Sequence, residues 1–217
     1  MIWIRKHTFL IILFSVVNLV LTPLVSRFLG INGDLMAVIN FTIVTLVSIL
    51  STDEKLLRNI IIGAAGFTLI SVWREYMGIH QFLVFEMRLI TTLLLFCTLT
   101  YILIRNIFRS EKVNLKVIFG AMAGYILIGL IGGTLFEMME YNYADSFRLP
   151  KHQNGYDFYY YSFISLITVG YGDIVPQSPQ AKSLTIILGI IGQFYMAIGV
   201  ALFVGKHLNE KNTIQEK

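Results

Sequence analysis

The segment YDFYYYSFISLITVGYGD, residues 156–173, sets the architecture that this sequence predicts. Residues 156–168 are rich in aromatic and apolar side chains, and as a helix they would extend about 20 Å, at 1.5 Å per residue. The hydrocarbon core of a bilayer is about 30 Å thick, so this segment is too short to cross it. We therefore expect a re-entrant half-helix followed by non-helical backbone, which is stable at membrane depth only where protein buries it or water lines it.

The composition of the whole chain indicates an integral membrane protein. Apolar residues make up 56% of the 217 residues, the mean hydropathy is +0.71, and 14% of the residues are charged, against about 25% in a typical soluble domain. The basic isoelectric point does not indicate nucleic-acid binding, because the Lys and Arg residues lie between apolar runs and form no basic stripe. The single cysteine, Cys97, excludes an intrachain disulfide.

Apolar runs suited to membrane helices occur six times along the chain, which predicts six transmembrane helices. These runs are residues 8–29, 35–50, 56–73, 82–104, 117–139 and 180–207. With the N-terminus inside, eleven of the 17 Lys and Arg residues lie in cytoplasmic segments and five lie in outer segments. Because inner loops of membrane proteins carry the excess of basic residues, we expect both termini in the cytoplasm.

Residues 162–176, SFISLITVGYGDIVP, resemble the pore signature of the tetrameric potassium channels, a family of pore-loop cation channels. The resemblance covers the C-terminal half of the chain. It implies an outer helix over 117–139, a pore helix over 156–168, a selectivity filter over 168–173 and an inner helix over 179–207. It also implies a pore domain over 111–217, and the four apolar runs before it predict a four-helix transmembrane domain over 1–110. The predicted fold is an all-α membrane protein with six transmembrane helices, a re-entrant pore helix with a filter loop, and a pore formed by four chains.

Two alternating glycines mark the predicted filter, which is Thr168-Val169-Gly170-Tyr171-Gly172-Asp173. A K⁺ ion must exchange its hydration shell for fixed oxygens, and four chains each supply backbone carbonyls around one axis. Gly170 and Gly172 allow the positive φ angles that this arrangement requires, and Thr168 adds a hydroxyl oxygen. We expect Val169 to pack behind the filter and Tyr171 to pack outward, against the aromatic residues of the pore helix. The resemblance also implies that Tyr171 favours potassium over a mixed-cation pore. The resemblance implies that the K⁺ ligands are the carbonyls of Thr168, Val169, Gly170 and Tyr171.

Three residues outside the filter are predicted to support it, namely Tyr160, Tyr161 and Glu140. The two tyrosines occupy positions where the family often has a tryptophan pair, and we expect Tyr161 to donate a hydrogen bond to Asp173. The alternative role for Tyr161 is aromatic packing at the membrane interface. Glu140 matches a position where relatives use glutamate to brace the filter surroundings, and its alternative role is that of a solvated acid that attracts cations.

Gly192 lies, by its spacing from Asp173, where the family often has a hinge glycine in the inner helix. A glycine inside a helix costs about 0.5–1 kcal/mol relative to alanine, so its presence needs a reason. One reason is bending of the inner helix to open the cytoplasmic end of the pore. The other is close packing between helices through small residues.

The first four predicted helices resemble the layout of voltage-gated channels but lack the arginine repeat of a voltage sensor. Such a sensor needs several Arg or Lys residues at every third position of its fourth helix. Residues 82–104 contain only Arg88. Strong voltage dependence is therefore not expected.

The sequence as a whole predicts a potassium-selective channel subunit of the plasma membrane that passes K⁺ passively and assembles as a homotetramer. K⁺ is the permeant ion, no cofactor and no nucleic-acid partner are expected, and a separate regulatory partner stays open. The alternative is a non-conducting or accessory subunit of a potassium uptake system. An enzyme is not expected, because the chain contains no HExxH, GxSxG or Walker motif.

Overall fold

A computed structural model describes residues 2–49, 51, 54–78, 82–110, 114–149 and 155–215, with side chains for 8–49, 51, 54–78, 84–110, 114–149 and 155–206. Its helices are α1 (Ile2–Val20), α2 (Thr22–Leu29), α3 (Gly33–Ile49), α4 (Lys55–Tyr76), α5 (Phe82–Arg109), α6 (Leu115–Asn142), α7 (Tyr156–Leu166) and α8 (Pro179–Gln215). An antiparallel sheet pairs β1 (Phe147–Arg148) with β2 (Val175–Pro176). The all-α fold class is confirmed.

The chain divides into two compact units, and the division lies within α6. One unit comprises Met1–Ser110 and Asn114–Leu127, and the other is built mainly of Ile128–Lys217. The predicted domain boundary at residues 110 and 111 stays a prediction.

Small side chains allow α4 and α5 to pack closely in the first unit. Ala64 and Ala65 of α4 are buried in one cluster with Leu95 and Ile102 of α5. An alanine at the contact leaves room for the larger side chain opposite, so the two helices interdigitate without a gap. The cluster makes α4 and α5 a tightly packed antiparallel pair.

Two ion pairs hold this pair of helices at opposite ends. Near the end of α4, Oε2 of Glu75 lies 2.9 Å from Nε of Arg88. At the start of α4, Glu54 pairs with Arg105. The Arg88 guanidinium also lies over the ring of Phe85, 4.7 Å from its centroid. Arg88 is therefore held by local partners, although it lies on an otherwise apolar helix.

The single helix predicted over residues 8–29 is wrong, because the structure breaks it at Leu21. The axes of the segments Thr8–Val20 and Thr22–Leu29 differ by 74°. Pro23 explains the break, since a proline lacks the backbone N–H, and its ring would collide with the carbonyl four residues earlier, that of Leu19. The hydroxyl of Thr22 donates to this freed carbonyl at 2.7 Å.

Four helices in the described residues are long and apolar enough to cross a membrane. They are Lys55–Tyr76, Val84–Arg109, Leu115–Asn142 and Pro179–Lys206. The bent pair α1 and α2 forms a fifth span if both parts belong to one crossing, and α3 is a shorter apolar helix of 17 residues. The chain is thus a multi-pass membrane protein, and the count of six spans stays a prediction.

The helices of the second unit begin close to their predicted positions. α6 extends beyond the predicted 117–139 at both ends, and α7 starts at Tyr156 but ends two residues before the predicted Thr168. Pro179 is the first residue of α8, where its fixed φ suits a helix start. The Ser178 hydroxyl accepts a hydrogen bond from the Ala181 N–H at 3.1 Å and so caps this helix.

Candidate functional site

The short helix α7 is packed unusually closely against α6. Three glycines of α6 face it, namely Gly129, Gly132 and Gly133. A Cβ at Gly133 would lie 2.5 Å from Cδ1 and 2.8 Å from Cα of Tyr159, while one at Gly129 would collide with the ring of Phe163. The buried Ser162 hydroxyl donates to the Gly129 carbonyl at 2.6 Å. Glycine is thus required at 133 because the backbone of α7 lies too close for a side chain, and at 129 because the Phe163 ring fills the space.

Thr168 ends α7 in a left-handed conformation, with a φ of 61°. Its N–H donates to the Ser165 carbonyl at 3.1 Å, and the Val169 N–H donates to the Ile164 carbonyl at 2.9 Å. This pair of bonds is a Schellman motif, in which the left-handed position is usually glycine. A β-branched residue there is strained by about 1–3 kcal/mol. Sequence reasoning could not predict this conformation, because threonine rarely adopts it.

The six predicted filter residues form a continuous exposed strip in the single chain, from Thr168 to Asp173. Gly170 and Gly172 both have positive φ, 56° and 78°, as expected. The strip lies between two anchors, Leu166 with 0% and Ile174 with 3% of its surface exposed. The chain therefore holds both ends of this segment and leaves its backbone accessible.

The expected packing of Val169 and Tyr171 is not present within one chain. Val169 is 46% exposed and Tyr171 is 73% exposed. Val169 precedes Gly170 and Tyr171 lies between the two left-handed glycines, so the turning backbone directs both side chains away from the body of their own chain. Their contacts must come from outside the single chain if they are buried at all.

The predicted hydrogen bond from Tyr161 to Asp173 is wrong, because Tyr160 makes it. The Tyr160 hydroxyl donates to Oδ2 of Asp173 at 2.7 Å. Oδ1 of the same carboxylate accepts from the N–H of Ile174 at 3.1 Å. The Tyr160 hydrogen bond is the main cause that lowers the pKa of Asp173 below its ordinary value. Successive residues on a helix point about 100° apart, so only one of the two tyrosines can face Asp173.

Tyr161 lies instead in the interior, with 4% of its surface exposed. Its hydroxyl lies 3.0 Å from Oγ1 of Thr185 on α8. The Thr185 hydroxyl donates its own proton to the Ala181 carbonyl at 2.8 Å, so Tyr161 is the donor between the two hydroxyls. The Tyr161 ring also packs against Phe136 and Phe147, with centroids 5.0 and 5.5 Å away. Tyr161 thereby connects α6, α7 and α8.

Glu140 braces the turn that leads into β1. Its Oε2 accepts from the N–H of Phe147 at 3.0 Å, and its Oε1 accepts from the N–H of Asp145 at 3.1 Å. Phe147 is paired with Pro176 in the sheet, three residues after the strip. This geometry fits the bracing interpretation of Glu140, which acts on the strip through β1 and β2.

Gly192 faces the end of α7. A Cβ on Gly192 would lie 2.6 Å from Cδ1 and 3.1 Å from the carbonyl oxygen of Leu166. The neighbouring Gly189 and Gly199 have nothing within 4 Å of a Cβ. Close packing is therefore a sufficient reason for glycine at 192, and α8 passes through this position without a break. The hinge role of Gly192 stays a prediction.

Comparison with protein families matches residues 117–206 to a family described as ion channel. The match includes the packed core of α6, all of α7, the exposed strip and the apolar part of α8. Comparisons with curated proteins and with solved structures give no match. Residues 117–206 contain every residue of the site described above, and this part of the multi-pass membrane protein is similar to the ion channel family.

Proposed function

We propose that this chain is one subunit of a potassium-selective channel, in which four copies surround a single pore and K⁺ passes passively across the plasma membrane. The observation that carries the proposal is the exposed strip Thr168–Asp173, with left-handed glycines at 170 and 172 and a buried anchor at each end. An accessible backbone with alternating handedness is what a ring of carbonyl ligands requires.

The proposed ligands are the backbone carbonyls of Thr168, Val169, Gly170 and Tyr171. Carbonyl oxygens suit K⁺, because they replace water oxygens without adding a full negative charge. Among the described residues, no three His, Cys, Asp or Glu side chains come together as a metal site. The backbone of the strip is thus the best candidate for cation binding in this part of the chain.

The exposed apolar surface of the second unit supports assembly from several chains. Only 11% of the apolar window of α8 is buried within the chain. The side chains at least half exposed there include Ile186, Ile187, Phe194, Met196, Ile198 and Val200. Together with the exposed Val169 and Tyr171, they form a surface that neighbouring subunits would cover around a shared axis.

The direct test is ion flux through purified protein in liposomes, with Gly170→Ala and Gly189→Ala as matched variants. A Cβ meets nothing within 4 Å at either position, but Gly170 has a φ of 56° whereas Gly189 is helical. We expect barium-sensitive K⁺ flux that greatly exceeds Na⁺ flux in the wild type and Gly189→Ala, and loss of flux or selectivity in Gly170→Ala.

Two results would contradict the proposal. Equal K⁺ and Na⁺ flux would identify a non-selective pore. Intact tetramers that give no flux would favour the alternative, an accessory subunit of a potassium uptake system.

Cysteine accessibility at both termini in cells would test their proposed cytoplasmic location.

A further inference from the structure

The break at Leu21 is stabilised by a buried polar network between α1, α2 and α3. Nδ2 of Asn40 on α3, which is 1% exposed, donates to the Thr22 hydroxyl at 2.8 Å and to the Asn18 carbonyl at 3.3 Å. Nδ2 of Asn18 donates in turn to Oδ1 of Asn40 at 2.6 Å. The polar groups that the break frees are therefore satisfied by side chains. Specific side-chain hydrogen bonds thus stabilise the bend.

The helix α2 that follows the break is amphipathic, and its polar face points into the protein. Thr22 and Ser26, four residues apart, are both 6% exposed. A Cβ on Gly33, the first residue of α3, would lie 3.7 Å from the Ser26 hydroxyl. Gly30, with a φ of 67°, ends α2 and lets the chain turn back into α3. The buried side of α2 is therefore polar, the reverse of a water-soluble surface helix.

The outward face of α2 is apolar and carries one cation. Its exposed apolar side chains are Leu21, Leu24, Phe28, Leu29 and Ile31, and Phe28 is 88% exposed. Leu24 and Phe28 are four residues apart on one face of α2, while Leu21 precedes the helix and Ile31 follows it. Arg27 is exposed beside these side chains and makes no ion pair within the described residues.

We infer that α2 lies in the plane of the membrane at the boundary between acyl chains and head groups, with Leu24 and Phe28 in the acyl region. If α1 stands upright, the bend of 74° leaves α2 within about 16° of the membrane plane. A helix with an apolar face and an arginine at its edge fits this boundary, because the apolar face enters the lipid while the guanidinium reaches lipid phosphates. The first membrane crossing then ends near Leu21.

The lipid boundary explains these features better than water or a second copy of the chain does. Water would leave Phe28 and Leu24 hydrated on a helix whose two hydroxyl side chains are already buried. A second copy would have to cover the apolar side chains and also supply an acidic partner for Arg27, because desolvating an unpaired charge is costly. At the lipid boundary, phosphates lie directly above acyl chains, so Arg27 can contact phosphates while Leu24 and Phe28 contact acyl chains.

Depth measurements with nitroxide labels test the inference in the full-length protein in lipid vesicles. Single cysteines at Leu24 and Phe28, in a Cys97→Ser background, report the slope of α2. Cysteines at Ile90 and Leu94 are the matched control, because this pair is also four residues apart and 45% and 46% exposed, on the candidate span α5. Collisions with oxygen, which enters lipid, and with a water-soluble nickel complex give each label's depth.

We expect Leu24 and Phe28 labels at nearly equal depth, about 5–10 Å into the boundary, whereas the Ile90 and Leu94 labels should differ by about 6 Å, the rise of four helical residues. Arg27→Leu should shift both α2 labels deeper, and Arg27→Lys should leave them in place. Size-exclusion profiles matching the wild type confirm that each variant is folded.

Three outcomes would overturn the inference. A depth step from Leu24 to Phe28 equal to that from Ile90 to Leu94 would mean that α2 continues the crossing. Labels reached by nickel but not enriched in oxygen would place α2 in water. Labels shielded from both reagents would mean that protein, such as a second copy, covers the face.

Discussion

The Tyr160 hydroxyl donates a 2.7 Å hydrogen bond to Asp173, and so joins the middle of α7 to the C-terminal end of the strip Thr168–Asp173. This hydrogen bond joins residues on either side of most of the strip, because Tyr160 lies before Thr168 and Asp173 is the last residue of the strip. Tyr161, the next residue, contributes to the interior instead through Thr185. The two tyrosines therefore have separable roles, which substitution of each hydroxyl can distinguish.

Tyr160→Phe is expected to raise the pKa of Asp173 toward its ordinary value of 3.8. The folded-state pKa is depressed, so this hydrogen bond stabilises the strip above the ordinary pKa and is lost as pH falls through the lower folded-state value. A titration followed by the NMR signal of the Asp173 carboxyl carbon should show a higher midpoint in Tyr160→Phe. Tyr161→Phe is the control and should leave that midpoint unchanged. An equal rise in both variants would contradict the assignment.

Gly133→Ala is expected to destabilise the second unit by about 1–3 kcal/mol, the usual cost of overpacking. The added methyl would meet the backbone of Tyr159 at 2.8 Å, which cannot move without shifting α7. Thermal unfolding in detergent, followed by circular dichroism, should show a lower midpoint. Gly63→Ala on α4 is the control, because its Cβ meets nothing and the change should raise helix stability. A Gly133→Ala midpoint at or above the wild-type value would contradict the close approach of α6 and α7.

Gly192→Ala is expected to alter single-channel opening through contact with Leu166 rather than through loss of a hinge. If packing is the cause, Leu166→Ala should restore wild-type opening in the Gly192→Ala background, because it removes the atom that the new methyl meets at 2.6 Å. If bending at residue 192 is the cause, the double variant should still be impaired, since alanine remains in the helix. Gly199→Ala, where a Cβ meets open space, is the control for general stiffening of α8.

Substituting Glu75 and substituting Arg88, the two partners of one ion pair, should lower the stability by different amounts. The Arg88 side chain is 10% exposed and that of Glu75 is 40% exposed. Glu75→Gln removes the carboxylate next to a buried cation, at a cost of about 1–3 kcal/mol. Arg88→Met leaves a carboxylate that water can reach and should cost less. Thermal unfolding should therefore give a lower midpoint for Glu75→Gln than for Arg88→Met. A lower midpoint for Arg88→Met would contradict the burial of Arg88.

The apolar runs located most of the helices, because burial in lipid demands long uninterrupted apolar segments whatever their contacts are. They did not reveal the break at Leu21, because the average hydropathy of residues 8–29 stays high across the break. Thr22 and Pro23 were the sequence signals that could have indicated it. The positive φ of Gly170 and Gly172 agrees with the expectation from their residue type, since glycine permits that conformation at no steric cost.

The missed features of the site depend on rotation and on tertiary contacts. The sequence places Tyr160 and Tyr161 side by side but does not say which one faces Asp173. The left-handed Thr168 opposes the preference of its own side chain, so only the surrounding hydrogen bonds determine it. The contact between Gly192 and Leu166 joins residues far apart in sequence, and spacing along one helix carries no information about it.

The two buried anchors of the strip, Leu166 and Ile174, have a thermodynamic consequence. A segment fixed at both ends samples fewer backbone conformations than one fixed at a single end, so part of its ordering entropy is lost when the chain folds. That part is not lost again when a ligand arrives. Burial of Leu166 and Ile174 therefore reduces the free energy that any ion binding between them spends on ordering the backbone.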